Sequence, residues 1–260
     1  MGSAQVQGSL WGRHPEIWST TLEQKMRPFF LTTLEAVGLL DGVRLLDVGC
    51  GAGQAIREAA TRGATVSGLD ASAPLLEVAA RRTPAADLRQ GDIEALPFED
   101  ETFDVVTAFN SIQYAVAPAS AVAEIARVCR RGGHVAIGIW GDPQRCETDG
   151  LFARLRSLAP PPPGTPAPLA CSEPGVVEEL LTKAGLIVHG GGEVAFPVVF
   201  ADLNEAWRAH TSAGPLQKVI DAAGAEPVRD VIASVLEADR KPDGVLRQDN
   251  VMRYVLAVKP

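Results

Sequence analysis

The feature that most constrains the fold is the sequence LLDVGCGAG at residues 45–53. Its apolar start is typical of a buried strand, and the strand runs directly into a turn with three glycines. Residues 52–62 follow with a composition that favours a helix. Because glycine has no side chain, such a turn lets the backbone approach a ligand closely. The segment therefore predicts a strand, a ligand-binding turn and a helix in an α/β protein.

The same alternation continues along the first half of the chain. Apolar runs predict strands at residues 43–48, 65–69, 87–90, 103–109 and 134–140. The stretches between them predict helices at 52–62, 73–82 and 119–130. Strands that are apolar on both faces and separated by helices are typical of a parallel sheet covered on both sides.

The two ends of the chain are predominantly helical. Periodic apolar residues predict a leading helical region at 16–37 and a helix at 176–184, which ends before a short strand at 186–188. Three further helices are predicted at 203–211, 216–223 and 227–238, before a last strand at 251–258. The proline-rich residues 160–168 are predicted to form a loop, because proline lacks a backbone donor.

Charge and cysteine content narrow the function classes. With 260 residues, of which 46% are hydrophobic, the chain can bury the core of one substantial domain. Its formal net charge of -8 disfavours nucleic acid as a partner, because phosphate binding needs clustered cations. The four cysteines form no metal-binding pattern, and no apolar run is long enough to span a bilayer. We expect a cytoplasmic protein with no metal site and no membrane partner, acting on a small molecule as a monomer or homodimer.

Acidic residues near the glycine turn discriminate between adenosyl cofactors. Asp70 ends the second predicted strand, about 20 residues beyond the turn, where a carboxylate can bind ribose hydroxyls. Gln54 stands where a dinucleotide turn has its third glycine. Asp47, at the end of the first strand, would repel a pyrophosphate but suits an ammonium or sulfonium cation. S-adenosylmethionine carries both cations and no phosphate.

Four further blocks of the sequence complete a family pattern. They read GLDAS at 68–72, QGDIEALPF at 90–98, FDVV at 103–106 and RVCRRGG at 127–133. With the glycine turn, they resemble, in the expected order, the class I S-adenosylmethionine-dependent methyltransferases. The resemblance is closest to the small-molecule group related to ubiquinone and menaquinone biosynthesis enzymes.

This resemblance implies a Rossmann-like α/β fold with a doubly wound, seven-stranded, mostly parallel sheet. It divides the chain into an N-terminal helical lid at 1–40 and a methyltransferase domain at 41–260. The helices at about 201–240 correspond to a substrate-covering insertion before the last strand.

The resemblance also implies roles for individual residues at the cofactor. The implied cofactor-binding residues are Asp47, Gly49, Gly51, Gly53, Asp70, Ala71, Asp92, Ile93 and Asn110. The glycines would lie against the methionine and ribose portions, Asp70 would bind the ribose hydroxyls, and Asp92 and Ile93 would contact adenine beside Ala71. The Asn110 carbonyl and Asp47 would hold the methionine ammonium. A solvated turn or cap role stays open for each carboxylate.

Candidate substrate-side residues are fewer. Gln113 and Tyr114 follow the fourth predicted strand, at the edge where such sheets bind ligands. His14 and His210 are the candidate bases, although a packed core role is the simpler interpretation of His210. Trp11 and Trp18 could wall the site or anchor the first helix.

The predicted function is transfer of a methyl group to an O, N or C atom of a small metabolite. The composition is typical of a GC-rich genome, with which a natural-product substrate is compatible. Two alternatives remain open: an NAD(P)-dependent oxidoreductase, and a cofactor-binding regulatory protein without turnover.

Overall fold

A computed structural model describes residues 3–38, 41–160 and 169–260. The described helices are α1 (Ala4–Trp11), α2 (Pro15–Thr20), α3 (Leu22–Lys25), α4 (Arg27–Ala36), α5 (Gln54–Ala60), α6 (Ala73–Arg82), α7 (Pro118–Val128), α8 (Glu147–Leu158), α9 (Val176–Lys183), α10 (Leu203–Thr211), α11 (Gly214–Ala223) and α12 (Ala225–Ala238). The described strands are β1 (Arg44–Val48), β2 (Thr65–Asp70), β3 (Asp87–Gln90), β4 (Phe103–Phe109), β5 (Cys129–Trp140), β6 (Ile187–Ala195), β7 (Val198–Phe200), β8 (Leu246–Gln248) and β9 (Val251–Val258).

Seven strands form one sheet in the order β3-β2-β1-β4-β5-β9-β6. The pairs among β1 to β5 are parallel, whereas β9 runs antiparallel to both β5 and β6. The order reverses at β1, so the loops after β1 and β4 diverge at the carboxyl edge and leave a crevice there. The predicted doubly wound, mostly parallel α/β sheet is confirmed.

Burial on both faces explains why the central strands are apolar throughout. After its first residue, every residue of β1 is buried, and β4 is buried except at Asp104. One apolar cluster joins the sheet to α7 and α9, and another joins it to α4 and α5. The helices on each side therefore remove the sheet from water, as the pattern of apolar runs predicts.

The N-terminal region differs from the single helical stretch predicted at 16–37. It is broken into α2, α3 and α4, because Thr21 has a non-helical backbone between the first two. Pro15 and Pro28 stand in the first turns of α2 and α4, where proline costs no hydrogen bond. A further helix, α1, precedes them and was not predicted, because its sequence has no clear apolar face.

The strand predicted at 186–188 extends much further, since β6 continues to Ala195. Its three consecutive glycines, Gly190 to Gly192, hid this extension, because glycine is depleted in strands. A Cβ at Gly192 would lie 2.6 Å from the hydroxyl oxygen of Tyr254 on β9. The absence of a side chain therefore lets Tyr254 lie across β6.

The helices between β7 and β8 match the predicted insertion closely. α10 has the predicted bounds, α11 begins at Gly214 and α12 at Ala225, two residues earlier than predicted in each case. The predicted apolar face of α12 is buried at Val228, Ile232, Val235 and Leu236. The unpredicted helix α8 packs against it. Of the predicted loop at 160–168, residues 161–168 lie outside the described residues.

Neither a membrane-spanning helix nor a metal-binding cluster is found among the described residues. No helix among them is both long and apolar enough to cross a membrane. No group of three or more His, Cys, Asp or Glu side chains in the same part of the chain is arranged to hold a metal ion.

Candidate functional site

A deep cavity lies at the carboxyl ends of β1, β2 and β4, where the strand order reverses. The sheet edge forms its floor, while α1 to α4 and the helices α10 and α11 contribute the other walls. Its empty space, including open solvent at the mouth, is about 1390 Å³.

The glycine turn forms one end of this cavity, and each glycine has a different reason to be there. All three have φ between +57° and +81°, a region that favours glycine. A Cβ at Gly49 would lie 2.3 Å from the Cβ of Ser111, so Gly49 lets the loop after β4 approach. Gly51 lies against the Glu23 carboxylate, and Gly53 lies against Ala79 of α6. Gly49 and Gly51 line the cavity, whereas Gly53 packs a helix outside it.

Asp70, the last residue of β2, is held in a defined orientation beside the turn. The backbone N–H of Gly51 donates to its Oδ2 at 2.8 Å, and the N–H of Ser72 donates to its Oδ1 at 2.8 Å. Burial raises the pKa of this carboxyl despite those two donors. Each oxygen keeps a second lone pair, so the carboxylate can accept two further hydrogen bonds from a ligand diol.

Asp47 is the least compensated charge in the cavity. Its side chain is 2% exposed, and the Thr107 hydroxyl donates to its Oδ1 at 2.7 Å. Among the described residues, no Arg, Lys or His forms a salt bridge with it. Burial raises the pKa of Asp47 to about 7, and the nearby carboxylates of Glu23 and Asp70 raise it further in the same direction. A buried carboxylate in this position favours a cationic ligand.

Glu23, on α3, is a site residue that sequence reasoning missed. It is 3% exposed and accepts a hydrogen bond from the backbone N–H of Ala52 at 2.8 Å. Arg82 donates to its other oxygen at 2.5 Å. Burial raises the pKa of Glu23 to about 7, and Arg82 offsets part of that increase. Nothing local in the sequence could identify it, because its partners lie about 30 and about 60 residues away along the chain.

The remaining predicted cofactor residues also reach the cavity. Ala71, Asp92, Ile93 and Asn110 all line it. The Asp92 Oδ1 accepts from the N–H of Glu94 at 3.0 Å, which fixes the loop after β3. Asn110 has φ +48°, a left-handed conformation that asparagine tolerates, and its N–H donates to the carbonyl of Gly138 at 2.8 Å. The structure thus brings eight of the nine predicted residues to one cavity. The ninth, Gly53, packs against Ala79 outside the cavity lining.

Helix α1 closes the cavity on the side of Ala71, through contacts that need small residues. A Cβ at Gly8 would lie 2.3 Å from the carbonyl oxygen of Ala71. Trp11 of the same helix packs against Gly214 of α11, where an added Cβ would lie 2.7 Å from the nearest ring atom. Arg13 adds a bidentate ion pair with Asp221 of α11, at 2.7 and 2.6 Å. The N-terminal segment is therefore held between β2 and the inserted helices.

Trp11 and Trp18 both line the cavity and contact each other edge to face, with ring centroids 4.8 Å apart. Tyr114 lines it too, 5.6 Å from Trp11 between centroids. Burial raises the pKa of Tyr114, which keeps its hydroxyl protonated. Gln113 does not line the cavity, and its amide donates to the Asn110 side chain at 3.4 Å.

The two candidate histidines differ completely in position. His14 is exposed at the start of α2 and lies outside the cavity lining, which removes it from the candidate bases. His210 is 5% exposed, lines the cavity and packs against Phe200 at 5.2 Å between ring centroids. Burial lowers the pKa of His210 to about 4, so its imidazole is neutral at pH 7. His210 is therefore both a packed core residue and part of the cavity lining.

The end of the cavity near His210 is predominantly aromatic. We call this part the inner chamber and define it by the lining residues Phe30, Phe109, Trp140, Phe152, Phe196 and His210. Trp140 lies between Phe152 and Phe196, at 6.4 and 5.8 Å between ring centroids. The sequence did not identify this chamber, because its residues come from six separate segments of the chain.

Part of the chain is similar in sequence to known methyltransferases. Residues 46–137 match the family model described as Methyltransferase domain. The demethylmenaquinone methyltransferase of Renibacterium salmoninarum is 38% identical over 110 residues, which are 42% of this chain and 46% of that protein. The chain thus spans about half the length of this curated relative.

Solved structures share the fold over most of this chain. The cyclase SpnF superposes with a TM-score of 0.61 and 23% identity, over 96% of this chain and 85% of that one. Phosphoethanolamine N-methyltransferase 2 of Haemonchus contortus, solved with S-adenosyl-L-methionine, superposes with a TM-score of 0.56 and 21% identity, over 90% and 52% of the two chains. At these identities the likeness shows the fold. The predicted resemblance to the class I methyltransferases is confirmed.

Proposed function

We propose that this protein, which carries a methyltransferase domain on the class I methyltransferase fold, transfers a methyl group from S-adenosylmethionine to a small metabolite. When bound, this cofactor supplies an electrophilic methyl group on a sulfonium. The protein's part is to bind and orient the two reactants and to exclude water.

The observation that carries the proposal is the uncompensated carboxylate of Asp47. It lies with Glu23 and Asp70 at the glycine turn, and the described residues that line the cavity include no Arg or Lys. A dinucleotide would bring a pyrophosphate into this acidic end, at an electrostatic cost. A ligand with an ammonium and a sulfonium would instead compensate the buried charge. The NAD(P) alternative is therefore disfavoured by the charge of the site.

The positions of the side chains support the cofactor roles that the resemblance implies. Asp47 is proposed to hold the methionine ammonium, together with the carbonyl of Asn110, and Asp70 the ribose hydroxyls. Asp92 and Ile93, which line the cavity, are proposed to contact adenine beside Ala71. Gly49 and Gly51 provide the close backbone approach, while Gly53 contributes by packing α5 against α6.

The N-terminal helices, within residues 1–40, are proposed to act as a lid, and the methyltransferase domain to occupy 41–260. The Trp11, Trp18 and Tyr114 rings support water exclusion, because they meet at the cavity wall. Tyr114 keeps its proton and can donate a hydrogen bond. His210, which is neutral at pH 7, is the remaining candidate for a proton acceptor.

The setting of the reaction is also a proposal. The four free, buried cysteines support a reducing, cytoplasmic location. We also keep three proposals from the sequence analysis. The substrate is a small molecule, the protein is a monomer or homodimer, and it has no nucleic-acid, membrane or metal partner.

Methyl transfer can be tested with radiolabelled S-adenosylmethionine and a panel of small hydroxylated, amino and carbon-nucleophile acceptors. We expect labelled product from at least one acceptor, and its loss in Asp47→Asn. Tight cofactor binding with no transfer to any acceptor would favour the regulatory alternative. Tight NADH binding with no binding of S-adenosylhomocysteine would overturn the proposal.

A further inference from the structure

The inner chamber differs in charge from the rest of the cavity. Its aromatic walls carry no charged side chain, and the four cavity carboxylates, of Glu23, Asp47, Asp70 and Asp92, lie at the glycine turn and in the loop after β3 instead. Thr148, which is 4% exposed, is a further polar residue that reaches the cavity from α8. An anion bound in the chamber would lack a counter-charge from any described lining residue, and burying an unpaired charge is costly. A second cation would likewise lack a carboxylate at this end.

Unsatisfied polar atoms show what the chamber does offer. His210 Nε2 is buried and has no hydrogen-bond partner among the described residues. Gln248, which is fully buried beside His210, lies outside the cavity lining. Buried polar groups are nearly always hydrogen-bonded, so the free Nε2 of a cavity-lining histidine is an atom that a ligand can satisfy.

The neutral imidazole of His210 is suited to one kind of ligand group. One of its two nitrogens carries the proton and the other is an acceptor. A hydroxyl can donate to that acceptor. An alkyl group can do neither, and a carboxylate or phosphate cannot donate when ionised.

From these observations we propose that the inner chamber binds an uncharged, predominantly apolar or aromatic molecule through a single hydroxyl that donates a hydrogen bond to His210. This inference deepens the proposed function and rests on it, because the bound molecule would be the methyl acceptor. The aromatic rings supply most of the contact area, and His210 selects the hydroxylated molecule and orients it.

The test uses three naphthalene probes of similar size: 2-naphthol, 2-naphthoate and naphthalene. Binding is followed by tryptophan fluorescence, because Trp140 is part of the chamber, with the protein saturated with S-adenosylhomocysteine. We expect 2-naphthol to bind about tenfold more tightly than naphthalene, because one buried hydrogen bond separates them. We expect 2-naphthoate to bind more weakly than both.

His210→Phe should abolish the preference for 2-naphthol over naphthalene, and His210→Gln, which keeps an acceptor, should retain part of it. The exposed His189 provides the matched control, since His189→Phe should leave the ratio unchanged. Calorimetry with S-adenosylhomocysteine shows whether each variant is folded. If His210→Phe fails that check, the comparison of His210→Gln with wild type still decides.

Two results would overturn the inference: binding of 2-naphthoate as tight as that of 2-naphthol, or no binding of either neutral probe at millimolar concentration. A ratio unaffected by both His210 variants would do the same. If S-adenosylhomocysteine binds while any of these occurs, only this inference fails. If S-adenosylhomocysteine itself does not bind, the proposed function fails first.

Discussion

The two ends of the cavity are built in opposite ways. The end at the glycine turn is acidic, and most of its residues come from one stretch of chain between Asp47 and Asn110. The inner chamber is aromatic, and its residues come from α4, β4, β5, α8, α10 and the segment before β7. The first end depends on backbone geometry that tolerates almost no change. The second depends on side chains that can be exchanged one at a time, so we expect specificity to reside there.

The largest effect is expected from Gly49→Ala. Its methyl group would collide with the Ser111 Cβ, at a residue with φ +78°. The steric collision and the left-handed backbone together should lower the free energy of unfolding by about 2 kcal/mol or more. Affinity for S-adenosylhomocysteine should fall by at least about 100-fold as the turn shifts. Urea denaturation and calorimetry measure the two quantities.

Gly175→Ala is the matched control for that variant. Gly175 has φ +88°, but a Cβ there would meet nothing within 4 Å. It should therefore show a smaller loss of stability and unchanged cofactor affinity. Equal loss of affinity in both variants would contradict the account of the turn.

The second prediction separates binding from stability at Asp47. Because burial raises the pKa of Asp47 to about 7, its ionised form destabilises the ligand-free protein at pH 8. Asp47→Asn should raise the free energy of unfolding by about 1 kcal/mol and weaken S-adenosylhomocysteine binding by about tenfold or more. Thermal unfolding at pH 8, with and without ligand, measures both effects.

Asp104→Asn is the control, and its effect on the free energy of unfolding should have the opposite sign. The guanidinium of Arg44 holds the pKa of Asp104 well below its usual range, so its ionised form stabilises the protein at pH 8. This variant should lower stability without changing cofactor affinity. A stability loss in Asp47→Asn would show that Asp47 is a structural residue, not a ligand-binding one.

The third prediction is a pH dependence of cofactor binding. Below about pH 7 the Asp47 carboxyl of the ligand-free protein is protonated, and an ammonium binds only its ionised form. Affinity for S-adenosylhomocysteine should therefore rise about tenfold between pH 6 and pH 8, with proton release at the lower pH. Calorimetry in two buffers with different ionisation enthalpies measures the released protons.

Adenosine is the control ligand, since it lacks the amino-acid portion proposed to reach Asp47. Its affinity should vary little over the same pH range. A parallel increase for both ligands would place the titrating group elsewhere.

The smallest effect is expected at the N-terminal helix. In Gly8→Ala, the added Cβ would lie 2.3 Å from the Ala71 carbonyl oxygen, so α1 must move away from the cavity. We expect a several-fold loss of S-adenosylhomocysteine affinity, because α1 contributes contacts at only one side of the ligand. Gly150→Ala, in helix α8 with open space around it, should have no such effect. Unchanged affinity in Gly8→Ala would remove α1 from the proposed lid.

The contrast between the two ends also explains what could be predicted from the sequence. The sheet, the glycine turn and the acidic residues at or just after the carboxyl ends of β1, β2 and β3 follow from local patterns, because the carboxyl ends of parallel strands meet at one edge of the sheet. Glu23 could not be predicted, since its burial depends on Ala52 and Arg82, which are far away in sequence. The inner chamber, α1, and the extension of β6 through three glycines depend on tertiary contacts in the same way.

The central claim is that the acidic end of the cavity binds a cationic, phosphate-free adenosyl cofactor. Calorimetric titration of the unmodified protein with S-adenosylhomocysteine, and separately with NADH, tests it most directly. The account predicts one site per chain for S-adenosylhomocysteine, at micromolar or better affinity, and no detectable binding of NADH. Binding of NADH with none of S-adenosylhomocysteine would contradict it.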